Sequence, residues 1–251
     1  MIGDVIGRPG RRAIQSLVPG LRCEYGLDLV IANGENAAGG LGLTSATAKE
    51  LLDCGVDVIT SGNHIWTQKE ITPHLSGNLP ILRPLNYPPG VPGRGYLIIK
   101  QAVVVNLVGR TFMGDCDCPF RAMDALLAEL VTTPPVIIID FHAEATSEKN
   151  AMGQYLDGRV SAVLGTHTHV GTVDARLLSE DTALVTDVGM VGPLDSVIGD
   201  DTDAVIHRFL SQMPHHLSVG KGKVVFNSVL VVIDENTGRA SGIARIDREV
   251  E

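Results

Sequence analysis

Apolar residues along this chain gather in short runs, and each run ends in a polar cluster. Six runs carry the pattern: LDLVIANGEN (27–36), VDVITSGNH (56–64), AVVVNLVGR (102–110), PVIIIDFHAE (135–144), VSAVLGTHTHV (160–170) and ALVTDVGMVG (183–192). Continuous Val, Ile and Leu without polar alternation suit strands covered on both faces. Segments of helical character lie between several of them: RRAIQSLVPGLRCEY near the start, TSATAKELLDCG with Thr44 or Ser45 as its cap, and PFRAMDALLAEL. Strand and helix in alternation predict an α/β protein with a largely parallel core. Towards the C-terminus, KVVFNSVLVVIDENTGRASGIARIDRE predicts two strands joined by the turn DENTG, an antiparallel hairpin added to the sheet. The segment RPLNYPPGVPGRG (83–95) reads as an ordered loop or lid, since apolar strands resume directly after it. The opening MIGD leaves few residues ahead of Asp4, so a first strand there is either unusually short or begins upstream.

Composition narrows the class. At 251 residues, 44% hydrophobic and 20% charged, the chain can bury roughly three quarters of its unfolded surface in one core. No Ser/Pro-rich linker divides it, so residues 1–251 are expected to form a single domain. No apolar run reaches a membrane span and the N-terminus lacks the pattern of a signal peptide, which makes the cytoplasm the default location. The formal net charge of −9 argues against duplex nucleic acid as a partner, while a small phosphorylated ligand held by a metal is compatible with it. Four cysteines fit a reducing compartment; Cys116 and Cys118, in CDC, read as thiols rather than as a zinc ribbon.

In open α/β sheets, ligands bind beyond the carboxyl ends of the strands. The polar residues at those ends are Asp4, Glu35 with Asn36, Asn63 with His64, His142, and His167 with His169. Imidazoles, carboxylates and amides brought from separate strands to one edge are the donor set of a site for Mn, Fe or Zn. That set is too large for one tetrahedral zinc and suits two ions sharing a carboxylate. Two ions a few ångströms apart clamp a phosphoryl group and lower the pKa of a bridging water, which is the chemistry of phosphate-ester hydrolysis.

The motifs IGDVIGRPGRR (2–12), NGENAAGG (33–40), SGNHIW (61–66), RPLNY (83–87), NLVGRTFM (106–113), DFHAEATSEK (140–149), GTHTHV (165–170) and GPLDSVIG (192–199) follow one another across nearly the whole chain. In these blocks the sequence resembles the metallophosphoesterase superfamily and, within it, the YmdB-type bacterial phosphodiesterases. The resemblance implies a four-layer α-β-β-α sandwich with a di-metal site at the strand ends. It implies that Asp4 binds a first ion with Asn36 close by, that Glu35 bridges, that Asn63, His142 and His167 complete the second ion, and that His169 returns to the first. His64 would protonate or steady the leaving oxygen, a role suited to an imidazole. The implied substrates are small phosphodiesters, 2′,3′-cyclic nucleotides in particular, attacked by a metal-bound hydroxide; Mn or Fe, or else Zn, would be the ions, and a homo-oligomer the assembly. Two departures from the wider superfamily, Val5 and Ile6 where many members have Asp-x-His, and a glutamate in GEN, are features of the YmdB-type branch and leave the first ion one imidazole short.

Plainer readings stand beside several of these residues. His142 alone is a satisfied buried histidine; Asp140 and Glu144 either orient its ring or are loop solvation. Arg8 is a candidate for binding phosphate, whereas Arg11 reads as helix solvation. Trp66 stacks on a base or packs in the core. His74, His207, His215 and His216 fall outside the pattern. Two other functions compete: a nucleotide sensor with little turnover, and a metal hydrolase of the amidohydrolase type, which would need a barrel of more strand–helix repeats.

Overall fold

The computed structural model describes residues 1–130 and 135–251. Along the chain run β1 (Ile2–Val5), α1 (Gly7–Tyr25), β2 (Ile31–Asn33), α2 (Ser45–Asp53), β3 (Val58–Thr60), α3 (Thr72–Leu75), β4 (Tyr96–Ile99) and β5 (Ala102–Val108). There follow α4 (Pro119–Glu129), β6 (Val136–His142), α5 (Thr146–Leu156), β7 (Ala162–Thr166), β8 (Arg176–Leu177), β9 (Ala183–Val185) and β10 (Met190–Pro193). The chain closes with α6 (Thr202–Ser211), β11 (Val224–Phe226), β12 (Val229–Ile233), β13 (Ala240–Arg245) and β14 (Arg248–Val250).

Every one of the six apolar runs contributes a strand, and their continuous burial explains why none alternates. Two six-stranded sheets result, with orders β14-β11-β10-β1-β2-β3 and β4-β5-β6-β7-β9-β8. The central strands of both are parallel, and antiparallel strands sit at both edges of the second sheet and at the β14 edge of the first, whose other edge, β3, is parallel. Parallel strands pointing one way place all their carboxyl ends at one rim, which is where the polar clusters lie. Both six-stranded sheets are open, so the barrel required by the amidohydrolase alternative is not this fold.

Period-two alternation sorts the side chains of β5 and β6. Val103, Val105, Ile139 and Phe141 face Met123 and Leu126 of α4 and Met152 and Leu156 of α5. Val104 faces the other way, towards Ile31, Val58 and Leu82 of the first sheet. On the far side of that sheet Val5, Ala32, Ile59 and Phe226 meet Ala13, Ile14 and Val18 of α1 and Ala48 and Leu51 of α2. Each fully buried aliphatic side chain of this kind contributes about 1.5–3 kcal/mol.

Local signals set the helix starts. Thr44 caps α2, its side chain accepting from Thr47 N at 3.2 Å. Helix α1 begins at Gly7, earlier than the amphipathic pattern alone predicts, and runs through Pro19. The first strand is indeed short, yet Ile2–Val5 is buried throughout and is paired with β2 on one side and β10 on the other, which holds Asp4 firmly. The C-terminal hairpin departs from expectation: KVVF becomes β11 in the first sheet, while β12 and β13 form a separate two-stranded sheet. The cause is packing, since Val229 and Ala240 are buried against Ala162, Leu164, Ala183 and Val185 of the second sheet. Segment 83–95 is a loop, as expected, tied in by a bridge between Leu82 and Arg94. Among the described residues no helix is long and apolar enough to cross a membrane.

Candidate metal centre

The carboxyl ends of β1, β2, β3, β6 and β7 bring Asp4, Glu35, Asn36, Asn63, His64, His142, His167 and His169 into one cluster. Asp4, Glu35, Asn36 and His142 are all at most 2% exposed. One donor atom each from Glu35, His142 and His167 lies within 4.8 Å of the others, the arrangement of a cation site. His142 Nε2 stands at its centre, 2.9 Å from Glu35 Oε1, 3.1 Å from Asn63 Oδ1 and 3.0 Å from His167 Nδ1. A single ring nitrogen cannot serve three such neighbours through one proton, whereas a cation between them can. The approach requires Gly62: a Cβ there would lie 2.1 Å from His142 Cδ2.

The three histidines share one design, in which the outer ring nitrogen is tied to an oxygen and the inner one is presented to the cluster. The Thr166 hydroxyl donates to Asp140 Oδ1 at 2.7 Å, so towards His142 Nδ1, 3.0 Å away, it acts as acceptor. Glu144 Oε2 lies 3.1 Å from His167 Nε2. His169 Nδ1 donates to Ile198 O at 2.6 Å, leaving Nε2 to face Asn36 at 3.1 Å and Asp4 Oδ1 at 3.8 Å. Anchoring the far nitrogen fixes tautomer and ring orientation, as metal-ligating histidines require.

The carboxylates are incomplete in a telling way. Asp4 Oδ2 accepts from His167 N at 3.1 Å, and Glu35 Oε2 accepts from His64 N at 3.0 Å. Their other oxygens, Asp4 Oδ1 and Glu35 Oε1, are buried and accept no hydrogen bond; Glu35 Oε1 meets His142 Nε2 at 2.9 Å as a charged neighbour without hydrogen-bond geometry. A buried acceptor left open costs about 1–3 kcal/mol and more when charged, so two such oxygens facing one cluster call for a partner, which a cation would supply. The donor chemistry and these open oxygens together fit divalent transition-metal ions.

Electrostatics within the cluster follow from crowding. Burial lowers the pKa of His142, but the charges of Glu35 and Asp4 beside it outweigh this and hold the imidazole up at about 9. Burial raises Glu35, and the charge of His142 more than reverses this, to about 2. His167 is pushed down to about 3 by burial and by the His142 charge, and burial raises Asp4. Asp140 is lifted to about 6 by burial.

Of the residues singled out in the sequence, Arg8 is exposed in the first turn of α1. Arg11 is engaged elsewhere, with Glu50 and Ala37 O. Asp140 supports His142 indirectly, through Thr166 and through Asn33, whose Nδ2 lies 3.1 Å from Asp140 Oδ2 and 3.3 Å from His142 Nδ1. Glu144 serves His167 instead of His142. Trp66 packs against Tyr87 at 5.7 Å between ring centroids, on the edge of the first core. Sequence reasoning missed Asn33, Asn106, Thr166, Lys149 and Asp187; for all but Lys149, which lies on α5, the available signal was a polar residue inside or directly after an apolar run.

The sequence model of the YmdB-like protein family matches residues 1–246. A Bacillus subtilis (strain 168) protein named 2′,3′-cyclic-nucleotide 2′-phosphodiesterase is 47% identical over 249 residues, covering 98% of this chain and 94% of that protein. A crystal structure of a hypothetical protein from Thermus thermophilus superposes with a TM-score of 0.93 at 44% identity, over 99% of this chain and 97% of that one. A phosphatase structure from Mycoplasma pneumoniae gives 0.92 at 34% identity, over 99% and 92%. With its motifs in order, its two sheets and its clustered strand ends, the chain belongs to the YmdB-like family.

Proposed function

We propose that this chain is a metal-dependent phosphodiesterase that hydrolyses small phosphate diesters, with 2′,3′-cyclic nucleotides as the substrate class. The observation that carries the reading is the pair of open buried oxygens, Asp4 Oδ1 and Glu35 Oε1, set among three anchored imidazoles. The name of the B. subtilis relative supplies the substrate class. The frame is a single domain built as a four-layer α-β-β-α sandwich, with two ions at the strand ends.

Asp4, Asn36 and His169 would hold the first ion, Asn63, His142 and His167 the second, and Glu35 both. When bound, such ions supply Lewis-acid charge to the phosphoryl group and to the attacking water. Mn or Fe fits the mixed nitrogen and oxygen donors best, with Zn the third choice. The protein's own part is positional: Thr166, Glu144 and Ile198 O keep three ring nitrogens aimed inward, so little reorganisation accompanies loading. His64 is the group for the leaving ribose oxygen. Its Nδ1 lies 3.1 Å from Asn36 Oδ1, its side chain is 36% exposed, and Nε2 is left to face substrate. Arg8 offers the substrate phosphate a guanidinium. Cytoplasmic location and a homo-oligomeric assembly belong to the same reading.

The test is elemental analysis of protein purified without chelator, paired with hydrolysis of 2′,3′-cAMP. About two equivalents of Mn, Fe or Zn are expected, with activity lost to chelator and restored by Mn²⁺. Less than one equivalent together with no hydrolysis would overturn the reading. Replacing His64 by Ala should lower kcat by about 10²-fold or more while metal content stays at the wild-type level. Full turnover by that variant would remove His64 from the chemistry.

A further inference from the structure

Lys149 is a buried lysine, 1% exposed, on the inner face of α5, and its Nζ donates to Asp187 Oδ2 at 2.7 Å. A buried ion pair adds little net stability over apolar residues of the same shape, so packing alone does not account for it. The rest of Asp187 shows what the pair is aimed at. Its Oδ2 also accepts from Thr168 N at 3.1 Å and from Thr168 Oγ1 at 2.8 Å, and its Oδ1 accepts from Gly189 N at 2.8 Å. Thr168 is the residue between His167 and His169.

The backbone there is unusual. His167 has φ of 102° and His169 has φ of 64°, both in the region that L residues with side chains avoid. Such geometry costs of order 1–3 kcal/mol per residue and persists only where surroundings enforce it. Its effect is to send two imidazoles separated by one residue to opposite sides of the cluster: His167 Nδ1 to within 3.0 Å of His142 Nε2, and His169 Nε2 to within 3.1 Å of Asn36 Nδ2. The turn is enforced from behind. Asp187 grips Thr168, its backbone oxygen accepts from Thr172 N at 3.0 Å, and Arg245 Nη1 donates to Thr172 O at 3.1 Å. Gly165 brings β7 up to the same post, since a Cβ there would lie 1.9 Å from Thr186 O and 3.1 Å from Lys149 Cδ.

We propose that Lys149 and Asp187 are positioning residues for the metal centre, locking Thr168 so that His167 and His169 diverge onto the two ion positions. The inference rests on the dinuclear reading above and adds the element that sets its geometry. Lys149 fixes the Asp187 carboxylate, the carboxylate fixes the Thr168 amide and hydroxyl, and the strained backbone on either side follows. Neither residue touches substrate.

The test compares the wild-type protein with Lys149→Met and Thr168→Val. Three quantities are measured: Mn²⁺ affinity by competition with a chelating indicator, amide exchange at residue 168 in metal-free protein, and melting temperature. Loss of this outer support should weaken Mn²⁺ binding by about 10–100-fold for Lys149→Met and by about tenfold for Thr168→Val, with faster exchange at residue 168. In Thr168→Val the melting temperature should stay near wild type, which separates positioning from bulk stability. If Lys149→Met does not fold, Thr168→Val decides. Unchanged Mn²⁺ affinity in a folded variant whose residue 168 amide exchanges faster overturns the proposal, and so does unchanged exchange. Failure of the metal reading itself is distinguishable, because then the unmutated protein binds no Mn²⁺.

Discussion

Asp187 and Glu35 are carboxylates buried to the same degree within the same rim of the fold, each at 1% exposure, yet they are furnished in opposite ways. Asp187 is complete: a lysine ammonium, two groups of Thr168 and the Gly189 amide fill both oxygens. Glu35 keeps Oε1 without a hydrogen bond, as Asp4 keeps Oδ1, although donors stand nearby. Burial is therefore not what distinguishes a functional carboxylate from a structural one. The distinguishing feature in this pair is hydrogen-bonding capacity held in reserve at the cluster, which a bound cation would complete.

The contrast predicts opposite consequences for the two residues, and the largest effect should be on activity. Glu35→Gln should reduce phosphodiester hydrolysis by about 10³-fold, at the upper end of what removal of one charge-stabilising group costs. Its metal-free stability in urea should fall by less than that of Asp187→Asn, because His142, which loses its counter-charge, can shed its proton more readily than the Lys149 ammonium can. Asp187→Asn should do the reverse in stability, costing about 3–5 kcal/mol by leaving the Lys149 ammonium buried without its counter-charge. If Glu35→Gln were the more destabilising of the two in metal-free protein, the contrast would be wrong.

A ligand that completes the open oxygens must also stabilise the fold. Mn²⁺ at a hundred times its dissociation constant should add about 2.7 kcal/mol, raising the melting temperature by about 5–10 °C for a chain of this size. The same addition should leave Glu35→Gln nearly unmoved. A wild-type shift that survives in Glu35→Gln would place the ion elsewhere.

The sequence made one half of this contrast legible and hid the other. The strand-end rule found Asp4, Glu35, Asn63, His142, His167 and His169 because each lies in the polar stretch at the end of a strand whose direction the parallel core dictates. The same rule could not find Lys149, which lies on α5 and is buried only because β7 passes close by at Gly165. Asn33 and Thr166 do sit at strand ends, but their work, holding Asp140 and His142 across strands more than 100 residues apart in the case of Asn33, shows only in the packed fold. Ligand types recur at strand ends, whereas supporting contacts depend on which helix packs on which strand. The hairpin erred for a related reason: pattern identified β12 and β13, but only burial against β7 and β9 decides which sheet they join.

A third carboxylate tests whether the contrast concerns burial at all. Asp57 sits nearer solvent, with Oδ2 accepting from Arg22 Nη1 at 2.7 Å and from Val30 N at 2.8 Å, and Oδ1 accepting from Lys100 Nζ at 2.7 Å. It is as fully furnished as Asp187, but of its cation partners Lys100 is exposed to water and Arg22 half-buried. Burial alone would raise its pKa; the hydrogen bonds from Lys100 and Arg22 outweigh that, and the carboxyl is held below its ordinary value of 3.8. A carboxyl depressed in the folded state contributes stability that is fully present above its unfolded value and is lost as pH falls through the lower, folded one. Solvent screening keeps that contribution small, so Asp57→Asn should cost under about 1 kcal/mol at pH 7. Urea unfolding of the two proteins should show the difference vanish in acid, once Asp57 is protonated in both states. Should Asp57→Asn instead cost as much as Asp187→Asn, hydrogen-bond completeness alone would set the strength of these carboxylates, and the seclusion of the Lys149–Asp187 pair would carry no weight of its own.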